Sequence, residues 1–170
     1  MKLALNGATT MKADLATDIR AASRAGFDCV EIWAAKLRDF LKSRSAKELK
    51  DLFADQNIAP YSINSIERIT FRDAPGRDAL ARECEELCRI ASEINCPFVV
   101  VVPGLLPRGA NRAQVIEESV RVLTELAAVA EGFGVGLAFE FLGQRGKRTW
   151  AKQRKESGPA QLRVSHKRAA

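Results

Sequence analysis

The feature that most constrains this chain is an alternation. Strand-type runs at Lys2–Asn6, Cys29–Trp33, Ala59–Asn64, Pro97–Pro103 and Val135–Phe141 begin every roughly 25–40 residues, and a helical pattern fills each interval. The first helix carries Leu15, Ile19 and Ala22 at helical spacing and stops at Gly26. The next begins at a capping box, Ser45 with Glu48, which satisfies two orphan amides ahead of Leu49, Leu52 and Phe53, and it closes at Asn57. A charged loop is expected from Glu67 to Gly76, followed by a long helix with Leu80, Cys84, Leu87, Ala91 and Ile94 as its stripe. Asn111 to Glu131 forms the last helix, ended by Gly132 and Gly134. The unbroken Phe98–Val102 run between two prolines reads as a strand covered on both faces, as in a parallel sheet.

Strict alternation of this kind implies parallel strands joined by right-handed helical crossovers. Two architectures satisfy it, an open doubly wound sheet and part of a (β/α)8 barrel. The first strand is followed by Asn6-Gly-Ala-Thr-Thr10 rather than a G-x-G-x-x-G turn, which disfavours a dinucleotide-binding open sheet.

Polar residues inside the strands carry the chemistry. Glu140 stands between Phe139 and Phe141, where an isolated carboxylate is costly unless it is paired or holds a ligand. Side chains alternate along a strand, so Gly136, Ala138 and Glu140 point away from Leu137, Phe139 and Phe141. The same alternation can put Asn6, Glu31 and either Ser62 or Asn64 on that inner side, and in a barrel these groups converge at the C-terminal mouth. Glu140 is the catalytic candidate, and Glu31, Asn6 and Asn64 are the substrate-binding candidates. Each of the latter also has a plainer reading: Asn6 and Asn64 as loop caps, Glu31 as the partner of a nearby cation.

At 170 residues the chain has room for one domain with a real core. No apolar run approaches a membrane span, and the N-terminus is too soon interrupted for a signal peptide, so the cytoplasm is the expected compartment and a membrane is not an expected partner. Cys29, Cys84, Cys88 and Cys96 form no C-x-x-C pair and read as reduced core residues. Charge divides the chain. Residues 1–143 hold 18 Lys and Arg against 20 Asp and Glu, whereas 144–170 hold 9 against Glu156 alone, so a net −2 body precedes a net +8 tail.

With these residues in view, the Asn6–Thr10 turn, Ala25-Gly-Phe-Asp-Cys-Val-Glu-Ile-Trp33, Ser62-Ile-Asn-Ser-Ile-Glu67 and Gly136-Leu-Ala-Phe-Glu-Phe-Leu142 resemble the xylose isomerase-like TIM barrel superfamily of sugar phosphate isomerases and epimerases, over residues 1–143. The resemblance implies a partial (β/α)8 barrel of five strands, a small carbohydrate substrate, and a divalent ion (Mn, Mg, Co or Zn) held by four ligands from strands five to eight, with Glu140 as the first. Such an ion polarises a carbonyl while flanking glutamates move a proton between adjacent carbons.

The other three ligands cannot be placed. After Gly143 no strand of buried residues can be drawn, and His166, the one histidine, lies in the basic tail. A complete barrel needs about 250 residues. A shifted frame or premature end explains the switch to the tail, so the expectation is a domain at 1–143, an irregular tail at 144–170, and an incomplete, inactive isomerase whose first and fifth strands expose edges for self-association. The competing reading is a non-catalytic interaction protein whose nine tail cations bind nucleic acid. Nucleic acid is the less expected partner, because the tail lacks interleaved aromatics.

Overall fold

The computed structural model describes residues 1–140; the expected domain boundary at 143, the basic segment 144–170 and His166 lie outside the described residues. Five strands alternate with helices: β1 (Ala4–Asn6), α1 (Leu15–Arg24), β2 (Cys29–Trp33), α2 (Ala34–Leu41), α3 (Ala46–Asp55), β3 (Ala59–Ile66), α4 (Ala74–Glu93), β4 (Phe98–Val101), α5 (Arg112–Glu131) and β5 (Gly136–Phe139). A single 3-10 turn, Gly7–Thr10, follows β1.

All four strand pairings are parallel, and the spatial order is β1-β2-β3-β4-β5. That order chooses between the two architectures. A doubly wound sheet reverses direction at a switch point, whereas a barrel wall adds each strand beside the last. The sheet is a stretch of barrel wall, and among the described residues β1 and β5 each pair with one neighbour only.

The helices begin where side chains can satisfy their first amides. Asp14 accepts from the Thr17 amide at 2.7 Å to open α1. Ser45 and Glu48 cap each other's amides at α3, as the sequence indicates. Asn111 and Gln114 do the same for α5. Asn57 takes a left-handed φ of 49° after α3, and Gly134 one of 68° before β5.

Two elements differ from the sequence reading. Helix α2 follows Trp33 directly with no capping side chain, so it has no local start signal and is held by burying Ala34 and Leu37. The loop expected to run to Gly76 ends earlier: Asp73 accepts from the Gly76 amide at 2.9 Å, and α4 starts at Ala74, taking Pro75 into its first turn where a missing N–H costs nothing.

One core joins the sheet to the helices. Val30, Ile32, Ile63, Val99 and Val101, one side of β2 to β4, pack with Leu15, Ile19, Leu37, Leu49 and Leu87. Burying each such side chain contributes about 1.5–3 kcal/mol. Cys84 and Cys88 sit in this core, as their spacing indicates. The opposite face of the sheet carries the polar residues. No helix among the described residues is long and apolar enough to cross a membrane.

Candidate functional site

The register brings the strand residues into rows. Asn6 lies beside Glu31, Glu31 beside Ser62, Ser62 beside Phe98 and Phe98 beside Gly136. Trp33, Asn64, Val100 and Ala138 form the next row. Strand β3 spends two extra residues on this register. Tyr61 is skipped between Pro60 and Ser62, and Ser65 between Asn64 and Ile66. The second bulge returns Ile66 to the buried side after Asn64 has pointed inward. No bulge falls between Ser62 and Asn64, so the two share the inner side where the sequence reading took one or the other.

Glu31 is the hub of the inner face. Its Oε1 accepts hydrogen bonds from Asn6 Nδ2 at 2.7 Å and Asn64 Nδ2 at 3.1 Å, and its Oε2 accepts from Ser62 Oγ at 2.7 Å. All three donors are neutral, and among the described residues no cation pairs with Glu31, so the plainer reading of it as half of an ion pair finds no partner there. The cap reading of Asn6 holds alongside its place in the cluster: its Oδ1 accepts from the Ala8 amide at 2.8 Å, which fixes the flip of the amide and turns Nδ2 toward Glu31. Three of the candidates named from the sequence, on three adjacent strands, therefore meet in one cluster.

Glu140 is placed differently. Its amide donates to the Val101 carbonyl at 3.0 Å, continuing the β4–β5 ladder, and its parity with Gly136 and Ala138 turns its side chain to the inner face. The side chain is exposed and makes no hydrogen bond or ion pair with any described residue. Between it and the Glu31 cluster lies an apolar stretch. Phe98 packs edge-on against Tyr61, ring centroids 5.9 Å apart, and covers Gly136 so closely that a Cβ there would stand 2.8 Å from the phenyl ring.

A second polar network, not found by the sequence reading, lies beneath the β1 loop. Lys36 Nζ, on α2, donates to the Thr10 carbonyl at 2.8 Å, to Thr10 Oγ1 at 3.0 Å and to the Asp18 carboxylate of α1. Thr10 Oγ1 contacts the other Asp18 oxygen at 2.7 Å. Lys36 is 6% exposed and Asp18 1%. The signal was present in the sequence: Asp18 interrupts the apolar stripe three residues after Leu15 and four before Ala22. A cavity of about 490 Å³ opens beside this network, lined by Met11, Asp14, Trp33, Lys36, Phe40 and Arg44 among others.

The donor set for a divalent ion is thin. Among the described residues no three His, Cys, Asp or Glu side chains come together as an ion requires, and Glu140 offers one carboxylate. The described residues do not fit the four-ligand site that the resemblance implies.

The comparisons agree with the architecture. The model of the xylose isomerase-like TIM barrel family matches residues 19–154. An inosose isomerase of Halalkalibacterium halodurans is 33% identical over 145 residues, covering 84% of this chain and 51% of that protein. The inosose isomerase of Bacillus subtilis is 32% identical over the same length, and a putative hydroxypyruvate isomerase of Homo sapiens is 31% identical over 116 residues, 67% of this chain and 42% of that protein. A solved structure, the IolI protein with a binding zinc atom, superposes with a TM-score of 0.80 at 32% identity, covering 84% of this chain and 52% of that one. The chain thus spans about half the length of the curated relatives it matches. With a family model that matches most of its residues and a barrel wall built strand by strand, the chain belongs to the xylose isomerase-like TIM barrel family.

Proposed function

We propose that the chain is the carbohydrate-recognising half of an inosose or keto-sugar isomerase. The observation that supports this reading most is the Asn6–Glu31–Ser62–Asn64 cluster, which sets one carboxylate and three neutral donors on the inner barrel face. Such groups suit a polyhydroxylated ring: a carboxylate accepts from hydroxyls, amides and hydroxyls donate to them, and charge-assisted bonds are the stronger kind. The inosose isomerase relatives add the substrate class, a cyclic polyol bearing one ketone.

In this reading Glu31 accepts from ring hydroxyls while Asn6, Ser62 and Asn64 keep its two oxygens fixed. Glu140, exposed at the end of the β5 ladder, is the base that removes the proton on the carbon next to the ketone and returns one to it. Exchange of that proton needs only a positioned base. Full transfer of the ketone to the neighbouring carbon also needs a group to neutralise charge on the carbonyl oxygen, and the described residues place none there. The described residues by themselves thus support binding and slow proton exchange. The alternative, nucleic-acid binding through residues 144–170, draws no support from a described residue.

The test is deuterium incorporation into an inosose in D2O, followed by proton NMR. The parent chain is expected to exchange the hydrogen beside the ketone faster than buffer does, and Glu140→Gln to lose that excess. Exchange at the buffer rate with the parent chain would overturn the proposal.

A further inference from the structure

We infer that Lys36 and Asp18 are positioning residues for the recognition cluster, acting through the turn that carries Asn6; this rests on the carbohydrate-binding reading above for its consequence, though not for its geometry. Lys36 is spent entirely on holding other groups: its three donated bonds go to both Thr10 oxygens and to Asp18. Thr10 is the last residue of the 3-10 turn Gly7–Thr10, and its hydroxyl also reaches back to the Gly7 carbonyl at 3.2 Å. Asn6 is the first-end cap of the same turn, with its side-chain oxygen on the Ala8 amide and its amide nitrogen on Glu31. The ion pair grips one end of a four-residue turn, and the other end aims a site residue.

The turn has no slack. Gly7 is buried against β2, where a Cβ would meet the Glu31 carbonyl at 3.1 Å, the Trp33 amide at 3.2 Å and an Asp18 oxygen at 3.4 Å. The backbone that leads out of Asn6 is thus pressed between the strand that bears Glu31 and the carboxylate that pairs with Lys36. A rotation of the turn carries Ala8 away from Asn6 Oδ1, and the amide loses one of the two contacts that orient it, keeping only the bond to Glu31.

Energetics favour a positioning role over a stabilising one. Desolvating two charges costs about as much as their attraction returns, so a buried pair is weak evidence for stability, and its best-attested use is to fix one arrangement among several. No buried side-chain nitrogen or oxygen among the described residues lacks a partner. The network is therefore closed. Lys36 lies at the wall of the cavity beside Trp33 without a donor left for a ligand, and it is not a catalytic residue.

The experiment is side-chain amide NMR on the full 170-residue chain with the double variant Lys36→Met/Asp18→Asn, which removes the charges together and leaves no lone ion buried. Glu31→Gln in the parent background assigns the Asn6 and Asn64 amide signals that sense the Glu31 carboxylate. In the double variant the Asn6 signals are expected to move to the position of a freely rotating asparagine while those of Asn64, which does not pass through the turn, stay within their linewidth. Thr10→Val, which keeps the ion pair and cuts only its hydroxyl link to the turn, is the second variant should the first fail to fold, and is expected to move the same signals less. A structural role alone lowers the melting temperature and leaves the Asn6 signals in place, and unmoved Asn6 signals in either folded variant overturn the inference. Inosose titration on the same samples should show an affinity loss of about fivefold in the double variant, within the range of one lost neutral hydrogen bond. A parent chain that binds no inosose counts against the carbohydrate reading alone, because the amide signals decide the positioning claim separately.

Discussion

The two glutamates of the inner face sit in opposite settings. Glu31 is half-buried in the middle of β2 with strands on both sides, and three donors from the two flanking strands, Asn6 of β1 with Ser62 and Asn64 of β3, hold its oxygens. Glu140 stands past the last paired residue of β5, exposed, with only its backbone tied to β4. The difference follows from position in the wall. An interior strand has neighbours that can supply partners, whereas the final described strand has a neighbour on one side only. In the proposed function the clamped carboxylate is the one that recognises, and the carboxylate free at the mouth is the one that reacts. That proposed separation of tasks is what the following outcomes break or sharpen.

The largest effect is expected on the side of β2 away from Glu31. Ile32 is fully buried against the helices, and Ile32→Ala should cost about 2–5 kcal/mol in urea unfolding, because truncation there leaves a cavity in the core. Glu31→Ala, one residue away on the other face, should cost less, about 1–3 kcal/mol, through the donors it orphans. If the two costs came out reversed, the hub would be a stability element rather than a recognition element. Glu140→Gln should stay within about 0.5 kcal/mol of the parent chain.

How much of this could be read in advance depended on whether the cause was local. Capping boxes at Ser45 and Asn111 and the β-branched run at Phe98–Val101 act through neighbours in sequence, and these elements lie where the sequence puts them. Helix α2 escaped because no side chain caps it and its hold is tertiary. The Asn6, Glu31 and Asn64 set was legible from strand parity alone. The same parity puts Ser62 beside Asn64 on that face, two residues apart with no bulge between them; the bulges at Tyr61 and Ser65, which leave no clear local mark, were not legible. The Lys36–Asp18 pair spans two helices, so only the misplaced Asp18 hinted at it.

The open end of the wall predicts association. β5 has one pairing partner among the described residues, Ile116 and Val120 on α5 are 52% and 59% exposed, and Leu137 and Phe139 are only half-buried. Strand edges and apolar surface of this kind favour pairing between chains. Sedimentation is expected to show species larger than a monomer, with Val120→Lys reducing them; a monodisperse monomer would count against an exposed edge at β5.

A smaller effect should appear with pH at the loop before α4. Burial raises the Glu118 carboxyl, but the Phe71 amide, 2.9 Å away, and the Arg121 guanidinium outweigh it, and the group lies below its ordinary value of 4.5. A carboxyl lowered by folding adds stability that is present above its unfolded value and is lost as the pH falls through the folded one. The stability gap between the parent chain and Glu118→Gln should therefore be open at neutral pH and close in acid. The thiols bring the smallest change: burial pushes Cys96 up to about 12, so no reaction with a thiol reagent is expected there before unfolding.

The division of labour between the two glutamates is tested most directly by calorimetric titration of an inosose into the parent chain, Glu31→Gln and Glu140→Gln. Losing the hub carboxylate should weaken binding by about tenfold or more, the worth of a charge-assisted bond, whereas the Glu140 variant should bind within about threefold of the parent. Equal losses in both, or full affinity without the Glu31 carboxylate, would contradict the account.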